Sequence, residues 1–264
     1  MLSNLKGGLF ALLLFLSINS FASEHFNIKE FVFSSVDGKD KDRIAAVTVL
    51  SGKLKLLAYG RDSKEKMVVP EQEGFLSRRL RRYIGNHQYL GLINASMFKK
   101  DYLTSVAYMR DGEYFNNKVH VEKYSGLFVF NPKDSNLKPF DIIEKPLAPK
   151  WQSLIENYNT VIENYRTISN GKNLWTSNKR HKFMFQLGIN NKDQLVLISY
   201  ESRVGRSVKE FNEKVLELPL GIVSAVYLDG GPHGILQVKQ KGQLKEFGAT
   251  KKAFSPNFIV ITKP

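Results

Sequence analysis

The stretch Ala225-Val226-Tyr227-Leu228-Asp229-Gly230-Gly231-Pro232-His233-Gly234 is the strictest constraint on how this chain folds. Ala225 to Leu228 read as a buried strand, and a carboxylate then meets three glycines, a proline and a histidine. A strand that empties into such a turn carries a charged group to a place where the backbone bends sharply. The glycines permit left-handed backbone or the close approach of a ligand, and Pro232 stiffens the turn. Asp-Gly is also a frequent hairpin signal, so the same residues suit a structural turn in which Asp229 bonds only its own backbone.

The elements around this stretch follow from periodicity and turn chemistry. Ser207 with Glu210 three residues on is a capping box, opening a helix whose Val208, Phe211, Val215 and Leu218 share one face. Pro219 and Gly221 end it, and Ile222 to Leu228 form the strand that delivers Asp229. A second strand, Tyr89 to Ile93, empties into the polar and small residues Asn94-Ala95-Ser96-Met97-Phe98. Further strands are expected at 31–33, 45–50, 53–58, 126–130, 183–189 and 195–200, with a hairpin around Asp111-Gly112. Gly74 to Tyr83, bearing Arg78, Arg79, Arg81 and Arg82, reads as a short helix with a solvated basic face. Trp151 to Asn159 also reads as helical, the proline-rich Asn136 to Pro149 as a connecting loop, and Ile235 to Val238 against Phe258 to Thr262 as a closing hairpin. Without repeat or linker, the order of elements predicts one α+β domain: a twisted, mostly antiparallel mixed sheet with a few flanking helices.

Charge narrows the partners. A formal net charge of +14 and a pI near 9.7 attract anions. Lys6, the apolar run Leu9 to Leu16 and the small residues Ser20 and Ala22 have the pattern of a signal peptide over 1–22, cleaved after Ala22 to leave a domain over 23–264. The run is too short for a comfortable membrane span, so no transmembrane segment is expected after cleavage. Export to a bacterial periplasm or medium points away from nucleic acid and toward anionic carbohydrate or sugar phosphate. With no cysteine there is neither a disulfide framework nor thiolate chemistry.

Taken together, Ile93 to Phe98 and Leu228 to Pro232 resemble the two hallmarks of the phosphodiester glycosidase domain family. Tyr165-Arg166, Gly171 to Trp175, Leu187-Gly188 and Leu218 to Leu220 stand between them in that family's order, and the resemblance covers roughly residues 40–262. The chain departs from the family pattern at Ala95-Ser96, where a double glycine is usual, at His233, where a small hydroxyl residue is common, and at Gln186. The resemblance implies an exported hydrolase acting on a sugar-1-phosphodiester or another anionic glycan. A non-catalytic envelope protein that binds such a glycan, or assists polysaccharide synthesis, is the alternative.

Cleavage at a glycosidic carbon passes through an oxocarbenium-like state and calls for carboxyl groups, usually two. Asp229 is the first candidate, Glu201 or Glu163 the second, and His233 a further acid or base. Arg166, Arg180 and Arg203 suit the phosphate, since the guanidinium fork matches its oxygens. Asn94, Ser96, Gly230 and Gly231 complete the expected substrate contacts. The five histidines show no metal-ligand spacing, so no structural metal is expected and no cofactor is required, with a catalytic divalent cation left open.

Overall fold

Alternating apolar positions build two antiparallel sheets. A computed structural model describes residues 15–34, 41–62, 84, 87–248 and 255–264. The larger sheet runs β1 (Phe15–Ala22), β2 (Phe26–Ser34), β3 (Lys41–Val49), β13 (Leu195–Ser207), β12 (Arg180–Asn190), β14 (Ile222–Gly230), β10 (Tyr158–Ser169), β6 (Met109–Asp111) and β7 (Tyr114–Asn117). From β10 it branches to β11 (Lys172–Asn173) and to β8 (Gly126–Pro132), which in turn pairs with β9 (Phe140–Glu144). The smaller sheet has the order β16 (Gln243–Gly248), β15 (Ile235–Gln240), β5 (Gly91–Asn94), β17 (Asn257–Thr262) and β4 (Lys53–Ala58). Among the described residues helices are few: α1 (Tyr59–Asp62), α2 (Trp151–Ile155) and α3 (Val208–Glu217).

Strand β14 shows how the large sheet is buried on both faces. Val226 and Leu228 pack between the sheets with Phe185, Leu187, Leu197, Ile93, Leu236 and Ile259. Ala225 and Tyr227 point the other way, among Met184, Ile198, Tyr200 and the apolar stripe Val208, Phe211 and Val215 of α3. A strand covered on both sides reads as a continuous apolar run, as Ala225 to Leu228 does. The capping box is present, with Ser207 Oγ accepting from Glu210 N at 3.2 Å and Glu210 Oε2 accepting from Ser207 N at 2.7 Å. Buried Asn212 then seats the helix, accepting from Gln186 Nε2 at 2.6 Å and donating to Thr167 O at 3.1 Å. That gives Gln186, a departure from the family pattern, a partner in the core.

Several expectations change. The molecule is mostly β and sheet-rich, with two sheets where one was expected. β15 and β17 do not form a hairpin, because β5 lies between them and pairs with both. Asn136 to Pro149 contains β9, and the helix at Trp151 stops at Ile155 because β10 begins at Tyr158. The expected basic helix over 74–83 lies outside the described residues. Phe15–Ala22, within the expected signal peptide, runs antiparallel to β2.

Candidate functional site

The turn after Asp229 is not a hairpin but a crossing between sheets. β14 ends in the large sheet at Gly230, Gly231–His233 form one 3-10 turn, and β15 starts in the small sheet at Ile235. Gly231 has φ +72°, the left-handed region that favours glycine. Gly230 is required for space: a Cβ there would lie 2.2 Å from the Tyr227 hydroxyl and 2.5 Å from Phe183 O. The Tyr227 hydroxyl is thus tucked against the backbone next to Asp229.

Asn94, at the end of β5, joins the two strand ends. Its Oδ1 accepts from Ile235 N at 3.2 Å across 141 residues of sequence, and its Nδ2 is buried without a protein partner. Four residues on, the Phe98 ring meets His233 edge-on with centroids 5.6 Å apart. Ser96 has no exposed surface and donates to Met97 O at 3.0 Å or Ser105 Oγ at 3.1 Å. It supports the loop from within.

An aromatic wall flanks the carboxylate. Tyr165 of β10 stands directly across from Tyr227 of β14. Trp175 packs on both, at 5.2 Å from Tyr165 and 6.0 Å from Tyr227, and Tyr124 meets Tyr165 edge-on at 4.2 Å. Lys123 Nζ lies over the Tyr124 and Tyr165 rings, at 5.2 and 5.8 Å. His181 completes the row, 6.5 Å from Tyr227.

Electrostatics single out Asp229, which is only partly exposed. Burial pushes its carboxyl up to about 7, against a weaker pull downward from Gly230 N, which donates to Oδ1 at 2.7 Å. Burial also raises the Tyr227 and Tyr124 hydroxyls, with the charge of Asp229 adding to both shifts. In Tyr124 a hydrogen bond with Tyr165 contributes as well. Burial, with the charge of Lys179, holds His181 below the ordinary histidine value.

The other expected residues have different surroundings. Glu201 is exposed, in a shallow depression of about 180 Å³ that it lines with Lys41, Arg43 and Arg203. Arg180 is exposed near the start of α3, where the Glu210 carboxyl is raised by burial but lowered overall by the Ser207 bonds and the charge of Arg206, Arg180 adding least. Arg166 pairs in register with Val226 while its neighbour Tyr165 pairs with Tyr227, so alternation turns Arg166 to the opposite face of the sheet. There it holds Glu144 at 2.7 Å. The three arginines therefore stand in three separate settings. Glu163 has no exposed surface and is fully engaged by His120, Val121 N and Lys145. Among the described residues, no group of three or more His, Asp or Glu is placed to hold a metal ion.

The structure thus gathers Asn94, Asp229, Gly230, Gly231 and His233 and adds Tyr124, Tyr165, Trp175, Tyr227 and Lys123. Nothing local in sequence marks Lys123 or Tyr124 as site residues. Their place depends on the loop before β8 folding over β10.

No family model matches the sequence, and no curated protein matches it. Solved structures share the fold at low identity. A hypothetical protein from Synechocystis aligns with a TM-score of 0.64 and 12% identity over 94% of this chain, which spans 63% of that protein. The catalytic domain of zebrafish N-acetylglucosamine-1-phosphodiester alpha-N-acetylglucosaminidase, auto-inhibited by its pro-peptide, aligns with a TM-score of 0.57 and 11% identity, covering 96% of this chain and 88% of that one.

Proposed function

We propose that this chain is an exported glycosidase-like hydrolase that cleaves a sugar-1-phosphodiester, with Asp229 as its central catalytic group. The observation that carries this reading is the Asp229 carboxyl at the crossing between the two sheets, beside a wall of aromatic rings and bonded, among the described residues, only by Gly230 N, so that burial pushes it up to about 7. Aromatic faces suit the apolar faces of sugar rings. A carboxyl titrating near neutral pH suits proton transfer. The fold shared with the zebrafish phosphodiester glucosaminidase supports the substrate class.

The chemistry assigns a direction to the proton. When the C1–O bond of a sugar-1-phosphodiester breaks, its electron pair leaves on a phosphate monoester, a weakly basic group that asks little of a general acid. The harder task is the entry of water at C1, whose oxygen bonds to carbon as Asp229 takes its proton. A base of this kind works once ionised, so kcat/KM should rise as pH passes through about 7. If cleavage after Ala22 occurs, β1 is removed and β2 becomes an edge strand of the large sheet.

The test is hydrolysis of the methyl phosphodiester of N-acetylglucosamine 1-phosphate. Asp229→Asn keeps the side chain's size and should lower turnover at least ~10²-fold. A variant that turns over as fast as wild type would remove Asp229 from catalysis. The placement of Glu201 and Glu163 away from this role gives the second reading its support. Wild type that binds N-acetylglucosamine 1-phosphate but cleaves no diester would make the protein a glycan-binding module.

A further inference from the structure

The turn that brings Lys123 and Tyr124 to the aromatic wall is held from beneath by one buried carboxylate. Between β7 and β8, Val121 to Tyr124 make a turn closed by Tyr124 N donating to Val121 O at 3.0 Å. Lys123 is its third residue. Glu163 Oε1 accepts from Val121 N at 2.9 Å, and Oε2 is 2.7 Å from His120 Nδ1. Lys145 Nζ donates to Glu163 Oε1 and also reaches Val121 O at 3.3 Å. Both the N–H and the C=O of the turn's first residue are thereby gripped, one by Glu163 itself and the other by its cationic partner. The surroundings are fixed too: His120 stacks on Tyr108 at 4.0 Å and meets Trp151 at 4.8 Å, while Lys145 lies 5.0 Å over Trp151.

We propose that Lys123 is the cation that meets the phosphate of the substrate, and that Glu163 is the positioning residue that holds its turn in place. Among the described residues, Lys123 is the cation placed over the rings beside Asp229, whereas Arg166 faces Glu144 on the opposite side of the sheet. An exposed ammonium is a mobile point charge, so the backbone that carries it must be fixed if it is to meet one phosphate. Glu163 fixes that backbone without touching substrate. This inference rests on the hydrolase reading and deepens it.

The experiment measures KM and kcat on the same methyl phosphodiester, and binding of N-acetylglucosamine 1-phosphate, for wild type, Lys123→Ala, Glu163→Gln and the double variant. Glutamine keeps an acceptor for Val121 N and gives up the charge that holds Lys145. Losing one charged contact corresponds to a rise in KM of about tenfold, with kcat within about twofold, in each single variant. The double variant should be no worse than either single, since both remove the same contact. Amide exchange at Val121 and Tyr124 should quicken in Glu163→Gln and remain unchanged in Lys123→Ala. Wild-type KM in both singles, with wild type active, would overturn this inference and leave the hydrolase reading standing. Effects that multiply in the double variant would overturn the positioning link. Wild type that neither binds nor cleaves would sink the inference together with the reading it rests on.

Discussion

Glu163 and Asp229 belong to adjacent strands, and the charge of each acts on the same phenol, Tyr124, yet their surroundings are opposite. Glu163 is wholly buried and answered by a backbone N–H, an imidazole and an ammonium. Asp229 keeps some contact with solvent but accepts only from the backbone N–H of its own neighbour, and no ion pair reaches it among the described residues. Compensation, more than depth, is what differs between these two carboxylates. The partners around Glu163 fix its geometry, while burial without a counter-charge pushes the Asp229 carboxyl up to about 7.

The comparison breaks most visibly at Glu163. Alanine there removes the acceptor and strands Lys145 and Val121 N, so the variant should lose about 3–5 kcal/mol of stability, the usual cost of breaking a buried pair from one side. Denaturant unfolding measures this. A loss under about 1 kcal/mol would mean that water replaces the carboxylate freely and that the site is less closed than its geometry indicates.

Asp229 should behave in the opposite sense. With an unfolded-state value near 3.8 and a folded value of about 7, its carboxyl is protonated in both states at low pH and adds no penalty there. As pH rises from 4 to 7 it ionises first in the unfolded chain, and above 7 the folded protein bears the whole cost of a poorly answered charge. At about 1.4 kcal/mol for each pH unit over roughly three units, that cost is on the order of 4 kcal/mol. Asp229→Asn has no charge to bury, so its advantage over wild type should grow between pH 4 and 7 and stay level above. Thermal melts of both proteins across this range check the sign. A variant less stable than wild type at pH 8 would show that the ionised carboxylate has a favourable partner.

Local features were legible in the sequence, and pairings across the fold were not. Ser207 and Glu210 announced α3, and the run into Asp229 announced β14, because both signals are contained within a few residues. The division into two sheets was hidden, since period-two patterning says which side chains are buried and not which sheet receives them. β5 enters between β15 and β17 from far upstream, which no local pattern encodes. Pro139 and Pro146 made a loop of a segment whose strand, β9, lies between them uninterrupted. Asn94 and Asp229 stood out through their glycine-rich and polar contexts. Sequence order groups Arg166 with the site, whereas the alternation of a single strand turns it to the other face.

The smallest effect offers the finest test, because it separates a defined anion contact from a general basic field. Arg203 is exposed and stands with Lys41 and Arg43 beside Glu201, so its removal leaves two cations in the same depression. Exposed pairs are worth about 0–1 kcal/mol, and Arg203→Ala should change stability by no more than about 0.5 kcal/mol. If Lys123 is the phosphate contact, Arg203→Ala should also leave KM within about twofold at physiological ionic strength, where charges beyond about 8 Å are screened. Repeating the measurement at low salt sharpens it: a field effect would enlarge the loss at Arg203 and at Lys123 in the same proportion, whereas a direct contact keeps most of the Lys123 loss at every salt concentration. Equal losses at the two positions, fading together as salt is added, would dissolve the distinction between the site beside Asp229 and the basic surface around it.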